Sequence, residues 1–295
     1  MKTFLAVAVT LILWSSAFAG IKEGLAGYSP GHLVLMRFLV ASAVFLLYAC
    51  TGKIRLPRKE DLPKIIGLSL AGITIYHSCL TFGEMAVPAG TAGLLIASVP
   101  AFTAVFCYLL FKERMTKLGW SGIIIGFVGV AVISFGTHQT FAFATGAILI
   151  LIAAISTTLF FILQKPLFSR YSAVELTAYF TWFGTVPMLM FSHGIFEAVA
   201  AAPAASTWSA VYLGVLPSAF AYITWAIALK NAPASLVASG LYINPLLAIF
   251  IAWIWLGEVP HSIAFFGGVF IIAGVILVNF FGQRKTKIKR KHAAG

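Results

Sequence analysis

The sequence predicts an all-α integral membrane protein: ten transmembrane helices arranged as two inverted five-helix repeats. Composition, segment length and internal repetition carry that expectation. Hydrophobic residues make up 61% of the 295 residues and charged residues 9%, with a mean hydropathy of +1.00. A soluble domain carries roughly 45–50% and about 25%, so too little polar surface is available to face water, and no sizeable soluble domain fits. Apolar segments fall near residues 3–21, 33–50, 64–82, 89–110, 118–136, 145–164, 175–193, 208–229, 234–256 and 262–281. A crossing helix needs about 20 apolar residues, and in lipid a single run can satisfy its backbone hydrogen bonds only as a helix.

Taken in order, the first segment is ambiguous by itself. Lys2, the apolar run from Phe4 to Trp14 and Ala17-Phe18-Ala19 before Gly20 resemble a cleavable leader, and the repeat described below decides for a spanning helix. The second carries Arg37 about one turn from its outer end and is followed by the charged loop 51–63. Tyr76 and His77 lie in the third. Thr91, Ser98 and Pro100 fall in the fourth, which ends before Glu113. The fifth has a small-residue face, Gly122, Gly126 and Gly129, suited to close helix packing. Thr158 is on the sixth and Trp182 on the seventh, and an Ala/Pro-rich loop, 194–207, leads to the eighth with Trp225. The ninth holds Ser239, Tyr242, Asn244 and Pro245 and ends before Glu258, and the tenth repeats the glycine face with Gly267, Gly268 and Gly274. Pro100 and Pro245 sit mid-span, where a missing N–H kinks a helix and supplies a flex point. Residues 283–295 form a basic tail.

Charge sets the orientation, because Lys and Arg are retained on the cytoplasmic side. With the N-terminus inside, Lys2, the 53–64 cluster, Lys112, Arg114, Lys117, Lys165, Arg170, Lys230 and the tail are all cytoplasmic. Of the 20 basic residues, only Lys22 is then outside, and Arg37 is within a span. Both ends are therefore expected in the cytoplasm of a cell-membrane protein. The net charge of +12 follows from this distribution and does not call for nucleic acid.

Repetition divides the chain into 1–137 and 145–282. A shift of 145 places Pro88 on Pro233, Ala89 on Ala234, Pro100 on Pro245, Glu113 on Glu258, Gly122 on Gly267 and Gly129 on Gly274. A shift of 143 places Lys22 on Lys165, Tyr28 on Tyr171 and Ser29 on Ser172. Five spans per copy is an odd number, so the second copy enters from the opposite face, the inverted arrangement typical of secondary transporters.

On Trp14-Ser15-Ser16, Arg37-Phe38 and the Pro-to-Glu stretches 88–113 and 233–258, the chain resembles the drug/metabolite transporter superfamily in its ten-helix EamA-type branch. The resemblance implies two five-helix bundles around a central pathway, and export of amino acids, other metabolites or toxic compounds. It also raises Trp14 as a lining residue.

Polar groups at bilayer depth face a cavity or a helix partner. The candidate pathway is Trp14, Ser15, Ser16, Tyr76, His77, Thr91, Ser98, Thr158, Trp182, Trp225, Ser239, Tyr242 and Asn244, hydroxyls and rings suited to small amphipathic molecules. For each Ser and Thr, bonding within or between helices is the competing reading. Arg37, Pro100, Glu113, Pro245 and Glu258 are read as structural or gating positions, with Arg37 anchored, Glu84 being its candidate partner, ahead of contacting substrate. All eight acids lie in loops or near helix ends and His77 alone is titratable well inside a span, which favours facilitated or exchange transport over proton coupling. Cys50, Cys79 and Cys107 have no metal or redox spacing. No P-loop, metal cluster or nucleophile–base pair is present, so an ATP-driven pump and an intramembrane enzyme rank below a carrier, as does a passive channel. The expected partners are a small-molecule substrate and the bilayer, with anionic lipid at the tail, no nucleic acid, no cofactor and no metal.

Overall fold

A computed structural model describes residues 2–111, 116–135, 141–231, 240–259 and 262–281, and every regular element among them is helical. Glu113, Ser239 and the 283–295 tail lie outside the described residues, as does the side chain of Tyr242. The longer helices among the described residues, in chain order, are α1 (Thr3–Leu25), α2 (Pro30–Ala49), α3 (Lys59–Gly83), α4 (Ala89–Leu110), α5 (Lys117–Ile133), α6 (Phe141–Ser169), α7 (Ala173–Phe191), α8 (Ala204–Ala228), α9 (Asn244–Leu256) and α10 (Ser262–Val278). Six of them, α1 to α4, α6 and α8, are long and apolar enough to cross a bilayer. Large apolar side chains such as Phe4, Leu47, Phe141, Trp253 and Phe265 stay exposed on the outside, which suits lipid as solvent.

The ends are set by ordinary capping chemistry. Ser29 and Ser172 accept from the backbone N–H groups of His32 and Glu175, starting α2 and α7, and Glu175 returns a bond to the Ser172 N–H to complete a capping box. The stretch 194–207, expected as a loop, is partly helical. Gly194 turns left-handed at φ +73° after α7, and the alanine-rich run Ile195–Ala201 forms a helix bent 86° from it. Alanine's high helix propensity explains why this segment does not stay irregular.

The interiors of the helices are less regular than the apolar runs suggest. α3 widens into a π-helical turn over Leu70–Ile75 and α8 does the same over Gly214–Phe220, around Pro217. α4 breaks at Ala97–Ser98 and restarts at Val99, and a 3₁₀ turn, Gly240–Ile243, precedes the start of α9 at Asn244. Pro100 and Pro245 therefore do not kink continuous helices. Each sits one residue inside a fresh helix, where a missing N–H has no partner to lose.

α1 runs through the middle of the bundle against α4, α8 and α9, and Phe18, Ile21, Leu94, Leu213 and Ala248 form part of one buried core there. α5 and α10 pack as a close pair. A Cβ on Gly122 would fall 2.7 Å from the Gly274 carbonyl oxygen, and one on Gly129 would fall 2.5 Å from that of Gly267. Backbone cannot yield as a side chain does. Gly129→Ala is thus expected to destabilise the protein by about 1–3 kcal/mol, the usual penalty for overpacking, whereas Gly126→Ala, whose Cβ meets nothing within 4 Å, should leave it unchanged. Thermal unfolding of the two variants in detergent checks both.

Candidate functional site

The heads of the two restarted helices meet at a central, partly open cavity of roughly 860 Å³, the open part included. α1 contributes Trp14, Ala17 and Phe18 to its wall, α2 Arg37, α3 Tyr76, His77 and Leu80, and α4 Gly93, Ile96, Ala97, Val99 and Pro100. From the other half come Thr157 and Phe161 on α6, Tyr222 on α8, Leu241, Asn244 and Pro245 at the head of α9, and Ile272 and Val275 on α10.

Irregular backbone places hydrogen-bonding groups behind this wall. The π turn of α8 leaves the Pro217 carbonyl to accept from Trp14 Nε1 at 3.3 Å, and presents Ser218, whose Oγ accepts from Arg37 Nε at 2.5 Å. In α3, the π turn leaves Ala71 O for Ser156 Oγ of α6 at 2.7 Å. Trp14 packs against Phe161, Tyr222 and Trp225 with ring centroids 6.2, 5.3 and 5.1 Å away. His77 lies between Phe38 and Tyr76, its Nε2 3.2 Å from the Tyr222 hydroxyl and its Nδ1 buried without a partner.

Of the expected pathway residues, Trp14, Tyr76, His77 and Asn244 line this cavity, joined by Arg37, Pro100 and Pro245 from the structural set. Ser15 stands just behind, donating to Asn244 Oδ1 at 2.6 Å. Ser16 bonds to Tyr212, while Ser98 and Thr158 bond to carbonyls of their own helices. Thr91 is buried off the cavity, Trp182 donates to Ser42 O, and Trp225 lies behind Trp14 beside a smaller void. Thr157 and Tyr222, polar side chains in apolar runs that the sequence also offers for the pathway, line the cavity, whereas Phe161 in the wall and Ser218 behind it have no such signal. Phe161 carries no polar signal, and Ser218 matters only through a π turn that periodicity does not reveal.

Arg37 makes no ion pair with Glu84. The ion pairs among the described residues are Arg55–Glu175 at 2.7 Å and Arg170–Asp61 at 2.8 Å; both tie the charged loop region of the first half to the second half. At the other end, Tyr28 bonds to Thr207 at 2.8 Å, and Glu258 accepts from the Ala89 N–H at 2.8 Å, capping α4. Glu84, beyond the end of α3, is fully buried with both carboxyl oxygens unpartnered. Its burial pushes the carboxyl well above the ordinary carboxylate range, against the pull of Lys22 and Arg37 and with a further push from Glu258. A helix-end position in the sequence had given no sign of that burial.

A profile of the EamA-like transporter family matches residues 1–135 and 144–280. A protein of Bacillus subtilis named "Uncharacterized transporter YdfC" is 37% identical over 95% of this chain and 92% of its own length. Another, from Streptantibioticus cattleyicolor, named "Probable terminal-alkyne amino-acid exporter", is 38% identical over 99% of this chain and 97% of its own. One crystal structure, 18% identical, superposes with a TM-score of 0.63 over 93% of this chain and 95% of that one, a likeness of fold.

A carboxyl whose pKa is raised by folding contributes stability below its unfolded value, and that contribution is lost as pH rises through the folded value. Wild-type protein is thus expected to lose thermal stability between pH 5 and pH 8 more steeply than Glu84→Gln, which cannot ionise. Melting curves of both proteins at the two pH values measure the difference.

Proposed function

This chain belongs to the EamA-like transporter family, and from that membership we propose that it exports small organic metabolites, amino acids or related amphipathic compounds, by alternating access around the central cavity. The protein is a multi-pass membrane transporter. The observation that carries the reading is the shared cavity: its wall is drawn from both halves of the chain, so rocking one half against the other changes which side it faces. Export and amino-acid cargo draw on the name of the Streptantibioticus relative.

The finer architecture, ten crossings in two inverted repeats, has several supports. The π turns at Leu70–Ile75 and Gly214–Phe220, and the helix restarts at Val99 and Asn244, recur at or close to the 145-residue shift. The glycine contacts are crossed. Gly122 meets Gly274 and Gly129 meets Gly267, so each residue touches the equivalent of the other and not its own counterpart. A two-fold relation between α5 and α10 pairs residues in this reciprocal way. Tyr28 reaching the start of α8, and Tyr171 reaching Asp61 at the start of α3, pair likewise. The carrier sits in the cell membrane with both ends cytoplasmic, following the Lys and Arg distribution. A carrier is preferred to an enzyme because the relatives are named as transporters.

Purified protein in liposomes is expected to give saturable counterflow of labelled neutral amino acids. Trp14→Ala should reduce it on the order of tenfold through loss of an aromatic wall. Linear, unsaturable flux would indicate a channel. In a cysteine-free background, Met85→Cys should react with an impermeant maleimide from outside and Leu56→Cys only after permeabilisation; the reverse pattern would invert the orientation.

A further inference from the structure

We propose that Arg37 binds the carboxylate of the transported molecule and that the cavity selects monocarboxylates with an apolar body, whether or not they carry an amino group. The claim that this ligand is transported rests on the carrier reading above; the claim that it binds does not.

Arg37 is 2% exposed and forms part of the cavity wall. Its Nε is held by Ser218, while Nη1 is buried without a hydrogen-bond partner. No carboxylate among the described residues comes within ion-pair distance of it, and the oxygens of Glu84 are themselves unpartnered. A buried guanidinium without a counter-ion is costly, and truncating or withholding its partner is what makes buried charges unfavourable. A ligand that brings the anion removes the cost. Arginine suits that ligand, since its planar fork matches the two oxygens of a carboxylate, and the Ser218 bond holds the fork in one orientation.

A second feature points the same way. Val99 and Pro100 open one restarted helix and Asn244 and Pro245 the other, and all four line the cavity. A helix start carries partial positive charge, which adds to the field of Arg37 and favours an anion; at α4 the contribution is the dipole alone, since Pro100 has no N–H and the Ala101 and Phe102 amides bond to Ser98 O. Among the described residues the wall contains no Asp or Glu, so a substrate ammonium finds no ionic partner in them. Trp14, Phe161 and Tyr222 offer ring surface to an apolar body instead. The size of the cavity and its apolar wall favour an organic anion over chloride or phosphate, which share the charge and lack the body.

The test is binding to the purified full-length protein in detergent, by calorimetry and thermal shift, of 3-phenylpropionate, 3-phenylpropionamide and 3-phenylpropylamine, with chloride and phosphate as inorganic arms. The carboxylate is expected to bind and stabilise the protein, the amide and amine to bind at least about tenfold more weakly. Arg37→Gln should weaken carboxylate binding about tenfold to a hundredfold, the range for a lost charged hydrogen bond, and Arg37→Lys less. Should Arg37→Gln fail to fold, the comparison of ligands on wild-type protein decides alone. Equal binding of amide or amine, an unchanged Arg37→Gln affinity, phosphate or chloride binding as tightly as the organic acid, or no binding at all would each overturn the proposal. Carboxylate binding without counterflow in liposomes would leave this assignment standing and remove the carrier reading. Counterflow of the amine alone would do the opposite.

Discussion

Every feature of this molecule answers to one constraint: in hydrocarbon, a backbone N–H or C=O that lacks a partner cannot turn to water. Regular helix meets that demand by itself, which is why the apolar runs are helical. Departures from regular helix are affordable only where protein or a wet cavity takes over the bonding. The π turns and the two helix restarts obey this rule. Pro217 O is taken by the Trp14 indole and Ala71 O by Ser156, each carbonyl in one half claimed by the first helix of the other. The irregular stretches and the cavity therefore depend on one another, and the chain gains polar chemistry at bilayer depth with few polar side chains.

How much of this could be read beforehand varies with the kind of signal. Helical class, membrane residence and the recurrence of Pro100 and Pro245 are written in composition and spacing. Trp14, Tyr76, His77 and Asn244 were legible as cavity residues because a polar or aromatic group in an apolar run must have something to face. Hydroxyls such as Ser98 and Thr158 were less so, since a serine or threonine can satisfy itself on its own helix, as these two do. Glu84 illustrates the opposite failure: its position next to a helix end suggested water, and only tertiary packing buries it. The mid-span prolines predict kinks in continuous helices, whereas each lies one residue inside a new one, a distinction set by the residues before it and invisible in the proline itself.

Arg37 gathers these strands. Its position one turn from the outer end of α2 fits an anchor paired with Glu84, yet Ser218 on α8 is what holds its Nε. The same π turn that frees a carbonyl for Trp14 thus orients the guanidinium of Arg37 in the cavity wall. Apolar rings, a fixed guanidinium and two helix starts share one space because the backbone around them is irregular in matched places.

The bond from the Ala89 N–H to Glu258 joins the head of α4 to the foot of α9 across the two halves. If the halves part there, the Ala89 amide at the start of α4 loses its acceptor and incoming solvent must replace it. Wetting and opening at that end are then a single event, and a dry, half-parted form has nothing to sustain it.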